Sequence, residues 1–341
     1  MRYPENLKPG GTIGFAAPSF GAYIEPYRTC FLRADEVFQA MGYKTIKGPN
    51  VFKGDGIGIS TDPLSCGREL TEMYASQDND VLISVGGGEL MCETISHLDL
   101  EKIGKAQPKW FMGYSDNTNF GFLLPTLFDT VSLYGPCASD FSMVPWHGSL
   151  RDYLNILTGD SLLSHGYDFW EKEPLKGTDD PFAAYNCTEP TEVVKHNWDG
   201  TPISGRFLGG CLDILVNLCG TRFDQVKAFT EKYKEDGIIW FLEACDLTVY
   251  AMRRAFWELM EAGWFDTAKA FIIGRPLLYD QNIGGLDRHT AVTGILDELD
   301  VPIILDADLG HLPPMMPFIN GGYGTLSPYK DNNIMVIYEK K

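Results

Sequence analysis

Apolar positions in the first third of the chain alternate between short unbroken runs and stripes spaced three and four apart. Thr12 to Ala17 reads as a strand. Tyr27 to Met41 has helical spacing, with Phe31, Val37, Phe38 and Met41 expected on the core face. A second helix is expected over Leu64 to Tyr74, started at Thr61 or Asp62, whose side chains can accept a first-turn N–H. Val81 to Val85 and Lys109 to Met112 are again strand-like, and Phe120 to Leu127 returns to helical spacing. Strand and helix in alternation predict a parallel sheet covered by helices. Ligands bind beyond the carboxyl ends of the strands in such sheets. Gly86-Gly87-Gly88 and the turn from Gly113 to Asn117 both stand at such ends.

From about Ala138 to Pro202 the pattern weakens. The stretch is rich in Trp, Pro, Asp and Gly and reads as a linker with long loops, which in a compact protein are more often functional than idle. Beyond it, Ser204 to Leu208, Gly237 to Leu242, Phe271 to Gly274, Pro302 to Leu305 and Asn333 to Tyr338 read as strands. Leu212 to Leu218, Tyr250 to Met260 and a segment near Thr290 to Leu299 read as helices. The expected organisation is an N-terminal α/β domain over residues 1–137, a linker over 138–202, and a mixed α+β domain over 203–341.

With 341 residues, the chain is long enough for two domains, and its 44% hydrophobic and 22% charged residues are those of a globular protein. The formal net charge of −18 would repel nucleic acid and anionic membrane surfaces, so neither is expected as a partner. No segment approaches the roughly 20 apolar residues of a membrane span, and the N-terminus lacks the basic and then apolar pattern of a signal peptide. The eight cysteines include no Cys-x-x-Cys pair. No zinc site is therefore expected, and free thiols in a reducing cytoplasm are.

Gly113-Tyr114-Ser115-Asp116-Asn117 lies between an apolar run and a helical pattern. A serine at a sharp strand-to-helix turn holds its hydroxyl beside helix-start N–H groups, which suits a nucleophile. The same residue equally suits an N-cap. Asn117 in the fifth place departs from Gly-x-Ser-x-Gly, so the α/β-hydrolase motif is not met. A nucleophilic serine needs a base, and the base needs an orienting acid. Of six histidines, His311 stands out: it follows a buried strand, and Gly310, Pro313 and Pro314 impose an irregular backbone around it. A histidine satisfied within its loop is the alternative. Glu243 ends the apolar run Ile238 to Leu242 and is a candidate acid, with Asp246 as its rival. Gly86-Gly87-Gly88 suits an oxyanion donor or a phosphate cradle. Neither a P-loop nor a dinucleotide fingerprint surrounds it, so no nucleotide cofactor is expected.

LKPGGTIGFAAPS at Leu7 to Ser19, ISVGGGE at Ile83 to Glu89, GYSDNT at Gly113 to Thr118, WFLEACD at Trp240 to Asp246 and DLGHLPPMMPFINGG at Asp308 to Gly322 together resemble the LD-carboxypeptidase family of serine peptidases, in the family's order. The resemblance implies a flavodoxin-like N-terminal domain and a C-terminal domain built on a swivelling β-barrel, often in a homodimer. It implies Ser115 as nucleophile, His311 as general base and Glu243 as orienting acid. The backbone N–H of Asp116 and one from Gly86 or Gly87 would form the oxyanion hole. No metal and no cofactor are implied.

Two branches of the family fit: enzymes that trim a murein tetrapeptide, and microcin-immunity-like enzymes that cut an aminoacyl-nucleotide amide. The murein branch usually carries an arginine where Val85 stands, and the usual asparagine after the paired glycines is Cys211. The tryptophan-bearing stretch fits the second branch, with Trp170 or Trp198 as the candidate to stack on a base. A non-catalytic binding protein on the same scaffold is the rival from another class.

Overall fold

Five short strands, β1 (Thr12–Ala16), β2 (Lys44–Lys47), β3 (Val81–Ser84), β4 (Trp110–Gly113) and β5 (Ser132–Tyr134), carry the first sheet of the computed structural model, which describes residues 1–341. All five run parallel, in the order β5-β4-β3-β1-β2. Parallel neighbours need crossovers, and helices at Tyr27–Ala40 and Pro63–Ala75 supply two of them. The Asp62 carboxylate caps the second helix by accepting the Ser65 N–H at 2.9 Å, one of the two caps expected. In the first helix Phe31 and Phe38 are buried with Cys30 and Ala34. Met41 lies past the last turn and is 46% exposed, and Val37 stands beside the buried stripe, so neither is the full core residue that spacing alone suggested.

The chain continues through β6 (Leu163–His165), β7 (Phe169–Glu171), β8 (Cys187–Pro190) and β9 (Val194–His196) to the long strands β10 (Ile203–Cys211), β11 (Ile238–Glu243), β12 (Ala268–Gly274) and β13 (Ile303–Ala307). It ends with β14 (Phe318–Asn320), β15 (Tyr323–Tyr329) and β16 (Asn333–Glu339). The second sheet has the order β6-β16-β15-β10-β11-β12-β13-β9, parallel through β10 to β13 and antiparallel outside them. Its end strands β6 and β9 do not pair, so the swivelling barrel expected from resemblance is here an open mixed sheet.

Residues 138–202 are more ordered than a linker with long loops. Gly148–Thr158 is a helix whose start is capped by His147 and whose end is Gly159. Leu150, Tyr153, Ile156 and Leu157 form its buried stripe. Strands β6 and β9 extend the second sheet, and β7 and β8 form a separate antiparallel pair. Short strands framed by Pro, Gly and Asp leave little periodicity to read.

Alternation along β11 sets up the site. Ile239 and Phe241 belong to the core shared with the first sheet, whereas Ile238, Trp240 and Leu242 pack under the helices of the second half. Side chains two apart share a face. The same parity turns Glu243 toward the first sheet. A single apolar cluster, containing Trp110 and Val81 from one sheet and Phe241 and Ile304 from the other, fills the space between them. After β13, the chain leaves the second sheet, passes through His311, and pairs β14 antiparallel to β5 in the first.

Candidate active site

Ser115 follows β4 directly and opens a single 3-10 turn, Ser115–Asn117. Its φ is +60°, a conformation uncommon for a residue with a side chain and costly enough to mark a constrained turn. Gly113 permits the turn, because a Cβ there would lie 2.8 Å from the Asn117 Cβ. The Asn117 amide donates to the Gly86 carbonyl at 2.9 Å and so ties the glycine loop to the serine turn. The Asp116 carboxylate is directed away from Ser115. It accepts the Ser19 hydroxyl at 2.5 Å, the Met91 N–H at 3.0 Å and the Asn119 amide at 3.0 Å. Burial pushes this carboxyl up to about 6, against the pull of those donors. One side chain thus clamps the ends of β1 and of the glycine loop to the turn.

The backbone N–H groups of Gly87 and Asp116 donate to nothing within the protein. A Cβ at Gly87 would lie 3.5 Å from the Ser115 Cβ and 3.6 Å from its Oγ, so Gly87 borders the serine hydroxyl. Gly86 is more remote: its carbonyl is held by Asn117 and by the Ser84 hydroxyl, and its own Cβ position faces Phe20.

His311 comes from the bridge between β13 and β14. Its Nε2 is 3.0 Å from the Ser115 Oγ, and its Nδ1 is 2.9 Å from the Glu243 Oε2. Gly310 is needed here, with φ +102° and a Cβ position 2.8 Å from both the Glu243 Cβ and Oε2. The Glu243 side chain is fully buried, and its Oε1 accepts the Tyr134 hydroxyl at 2.6 Å. The same Tyr134 oxygen accepts the Ser115 N–H at 3.3 Å. Burial raises the Glu243 carboxyl, but His311 and the Tyr134 hydroxyl outweigh it and leave the group below the ordinary glutamate value. Burial likewise disfavours the imidazolium of His311, yet Glu243 and Cys245 hold it well above 6.5. Behind the histidine, Asp308 accepts the Tyr167 N–H at 2.6 Å and pairs with the buried Arg275.

The structure therefore joins Ser115, His311 and Glu243, with Gly87 and Asp116 beside the serine. It leaves Asp246 out: that residue is exposed, and its N–H donates to Asp213. Trp170 and Trp198 are not at the site. Trp170 is 5% exposed and packs against Tyr279 and the Arg275 guanidinium. Trp198 is 8% exposed, belongs to the main core, and donates its indole N–H to the Thr201 carbonyl at 2.8 Å. Both serve packing, so the substrate-stacking expectation is corrected. Tyr134 and Cys245 also stand beside these residues, and the sequence alone does not point to either. Tyr134 ends a three-residue strand that carries no local motif.

A cavity of about 440 Å³ opens beside His311, walled by Tyr114, Tyr153 and Tyr185. A larger depression of about 1030 Å³ lies at the opposite, N-terminal ends of the first sheet's strands, among Asp80, Lys102 and Lys109. It holds none of the joined residues, and Lys109 there is held by the Met73 and Ser76 carbonyls, whereas His311 itself lines the smaller cavity. All eight cysteines are free thiols. No group of three or more His, Cys, Asp or Glu side chains is placed to hold a metal ion, and no helix is long and apolar enough to cross a membrane.

An oxygen nucleophile, a hydrogen-bonded base with a buried acid behind it, and free N–H donors beside the nucleophile together suit acyl transfer. Family profiles agree. The LD-carboxypeptidase N-terminal domain matches residues 13–135, and the LD-carboxypeptidase C-terminal domain matches residues 204–326. The microcin C7 self-immunity protein MccF of Escherichia coli is 24% identical over 324 residues, covering 91% of this chain and 88% of MccF. The structure of MccF with aspartyl sulfamoyl adenosine superposes with a TM-score of 0.82 at 22% identity, covering 99% of this chain and 98% of that one. An MccF-like protein of Bacillus anthracis gives 0.83 at 21% identity, covering 99% and 100%. A muramoyltetrapeptide carboxypeptidase of Oxalobacter formigenes gives 0.72 at 20% identity, covering 96% and 99%.

Proposed function

We propose, from the premise that this chain belongs to the LD-carboxypeptidase family, that it is a serine carboxypeptidase in which Ser115, His311 and Glu243 form the catalytic triad. Membership makes the protein a hydrolase of the carboxypeptidase type. The observation that carries the triad is the unbroken relay from Ser115 Oγ through the imidazole to a fully buried carboxylate. Ser115 attacks the substrate carbonyl while His311 Nε2 takes the hydroxyl proton. The oxyanion meets the N–H groups of Gly87 and Asp116. The tetrahedral intermediate collapses, His311 returns the proton to the leaving amine, and water repeats the cycle on the acyl-enzyme. Residues 1–137 supply the nucleophile and residues 203–341 the acid and base.

For the substrate, we favour an aminoacyl-nucleotide amide over the murein tetrapeptide. Support comes from Val85 at the position where the murein branch carries arginine, and from the complexes of MccF with aspartyl sulfamoyl adenosine and glutamyl sulfamoyl guanosine. An aromatic base entering the cavity would meet Tyr114 and Tyr185 rather than a tryptophan. The reading extends to a cytoplasmic homodimer, whose assembly light scattering tests directly. The catalytic reading is tested by a fluorophosphonate probe, expected to label Ser115, together with a chromatographic assay of both substrate classes. A protein that resists the probe and cleaves neither class would be a binding protein on this scaffold.

The raised His311 value dictates the pH profile. The base works only when neutral, so kcat/KM is expected to rise with pH through a midpoint above 6.5. A profile already flat at pH 6 would mean that the Glu243 pair does not hold the imidazolium in the free enzyme.

A further inference from the structure

We infer that Lys176 binds an anionic group on the leaving half of the substrate and so sets the specificity of the cavity beside His311. The inference rests on the triad reading, because that reading decides which side of the scissile bond enters this cavity. His311 hands its proton to the leaving amine, so the leaving half must lie along the imidazole. The cavity of about 440 Å³ is lined by His311, Gly310 and Tyr114, but not by Gly87 or Asp116, which border the oxyanion side. It is therefore the leaving-group pocket.

Lys176 is the only lysine or arginine that lines it. Its Nζ makes no hydrogen bond, and the nearest carboxylate oxygen, Asp140 Oδ1, is 3.9 Å away. Each of the two acids in the same cavity accepts a backbone N–H, with Asp140 keeping only its Oδ1 toward the lysine at long range. Asp140 accepts the Cys137 N–H at 3.1 Å, and Glu171 accepts the Asn186 N–H at 2.5 Å. The ammonium group thus keeps its donors for a ligand. It sits on the irregular stretch between β7 and β8, which also supplies Pro174, Gly177 and Thr178 to the cavity wall. A carboxypeptidase must read an anion beyond the scissile bond, and Val85 offers no charge for that purpose. Two chemistries supply such an anion: the carboxylate of a C-terminal residue, and the ionised N-acyl sulfamate or phosphoramidate of a nucleotide conjugate. The pairing is a charge-assisted hydrogen bond in either case.

The experiment compares wild type with Lys176→Ala on three compounds: murein tetrapeptide, its C-terminal carboxamide, and aspartyl sulfamoyl adenosine. Fluorophosphonate labelling of Ser115 is measured in parallel. Loss of about 10- to 100-fold in kcat/KM, expressed mainly in KM, is expected on the anionic compound that the enzyme turns over. The carboxamide should be unaffected, and Lys176→Arg should restore most of the loss. Loss on the tetrapeptide alone identifies a carboxylate; loss on the nucleotide alone identifies the sulfamate. Lys172→Ala, which removes a lysine paired with Asp280 outside the cavity, should change nothing. Unchanged kinetics on both anionic compounds, or equal loss on the carboxamide, with labelling intact, would overturn the role of Lys176 and leave the triad standing. A wild type that neither labels nor cleaves would instead remove the triad reading, and this inference with it.

Discussion

Ser115→Ala is expected to lower kcat by on the order of 10⁵- to 10⁶-fold while leaving thermal unfolding nearly unchanged. Only one oxygen is removed, and the methyl group that remains can occupy the same turn at φ +60°. The bonds that shape the turn come from Asn117, Asp116 and the Ser115 N–H rather than from the hydroxyl. His311→Ala should fall to a similar rate, and the double variant should be little worse than either single one, since the hydroxyl without the base is as inert as the base without the hydroxyl. Additive losses, or substantial turnover by Ser115→Ala, would show that the carbonyl is attacked by something else.

Glu243→Gln should cost on the order of 10⁴-fold in kcat through the histidine tautomer. In the native site, the carboxylate accepts from Tyr134 on one oxygen and from His311 Nδ1 on the other. A glutamine that keeps its oxygen on the Tyr134 hydroxyl must present its NH₂ group to Nδ1. The ring then carries its proton on Nε2 and cannot accept one from Ser115. The same substitution removes the charge that holds the imidazolium, leaving burial as the dominant influence, so the acid limb of the residual activity should move to lower pH. A Glu243→Gln enzyme near wild-type rate, with an unmoved limb, would place the orienting acid elsewhere.

How far the site could be read in the chain differed from residue to residue. Ser115 is marked by the turn chemistry around it, whereas Glu243 is marked only as the polar end of the apolar run Ile238 to Leu242; the alternation that turns it toward the first sheet shows once the two cores are placed. Long buried strands and capped helices were legible because a single face or run dominates their composition. Tyr134 was not legible. Its function depends on two contacts, one to Ser115 and one to a residue 109 positions away, and neither leaves a local pattern. Trp170 and Trp198 misled for a related reason. A tryptophan amid prolines and glycines looks free to meet a ligand, but tertiary packing supplied Tyr279, Arg275 and the core as its partners. The helix at Gly148–Thr158 is hard to see in the sequence although its buried stripe is regular, because the polar stretches on either side dilute it. The barrel came from resemblance, and the strand order of this chain leaves it open.

The return of the chain from β13 through His311 to β14 bears on how a substrate enters. That segment is rooted in one sheet at its start and hydrogen-bonded into the other at its end. Parting the two halves like a clamshell would pull β14 from β5 and draw the imidazole off the serine. Substrate therefore reaches the imidazole through the mouth of the cavity beside His311, over a frame that stays shut. The alignment of base and nucleophile then survives each turnover without being rebuilt.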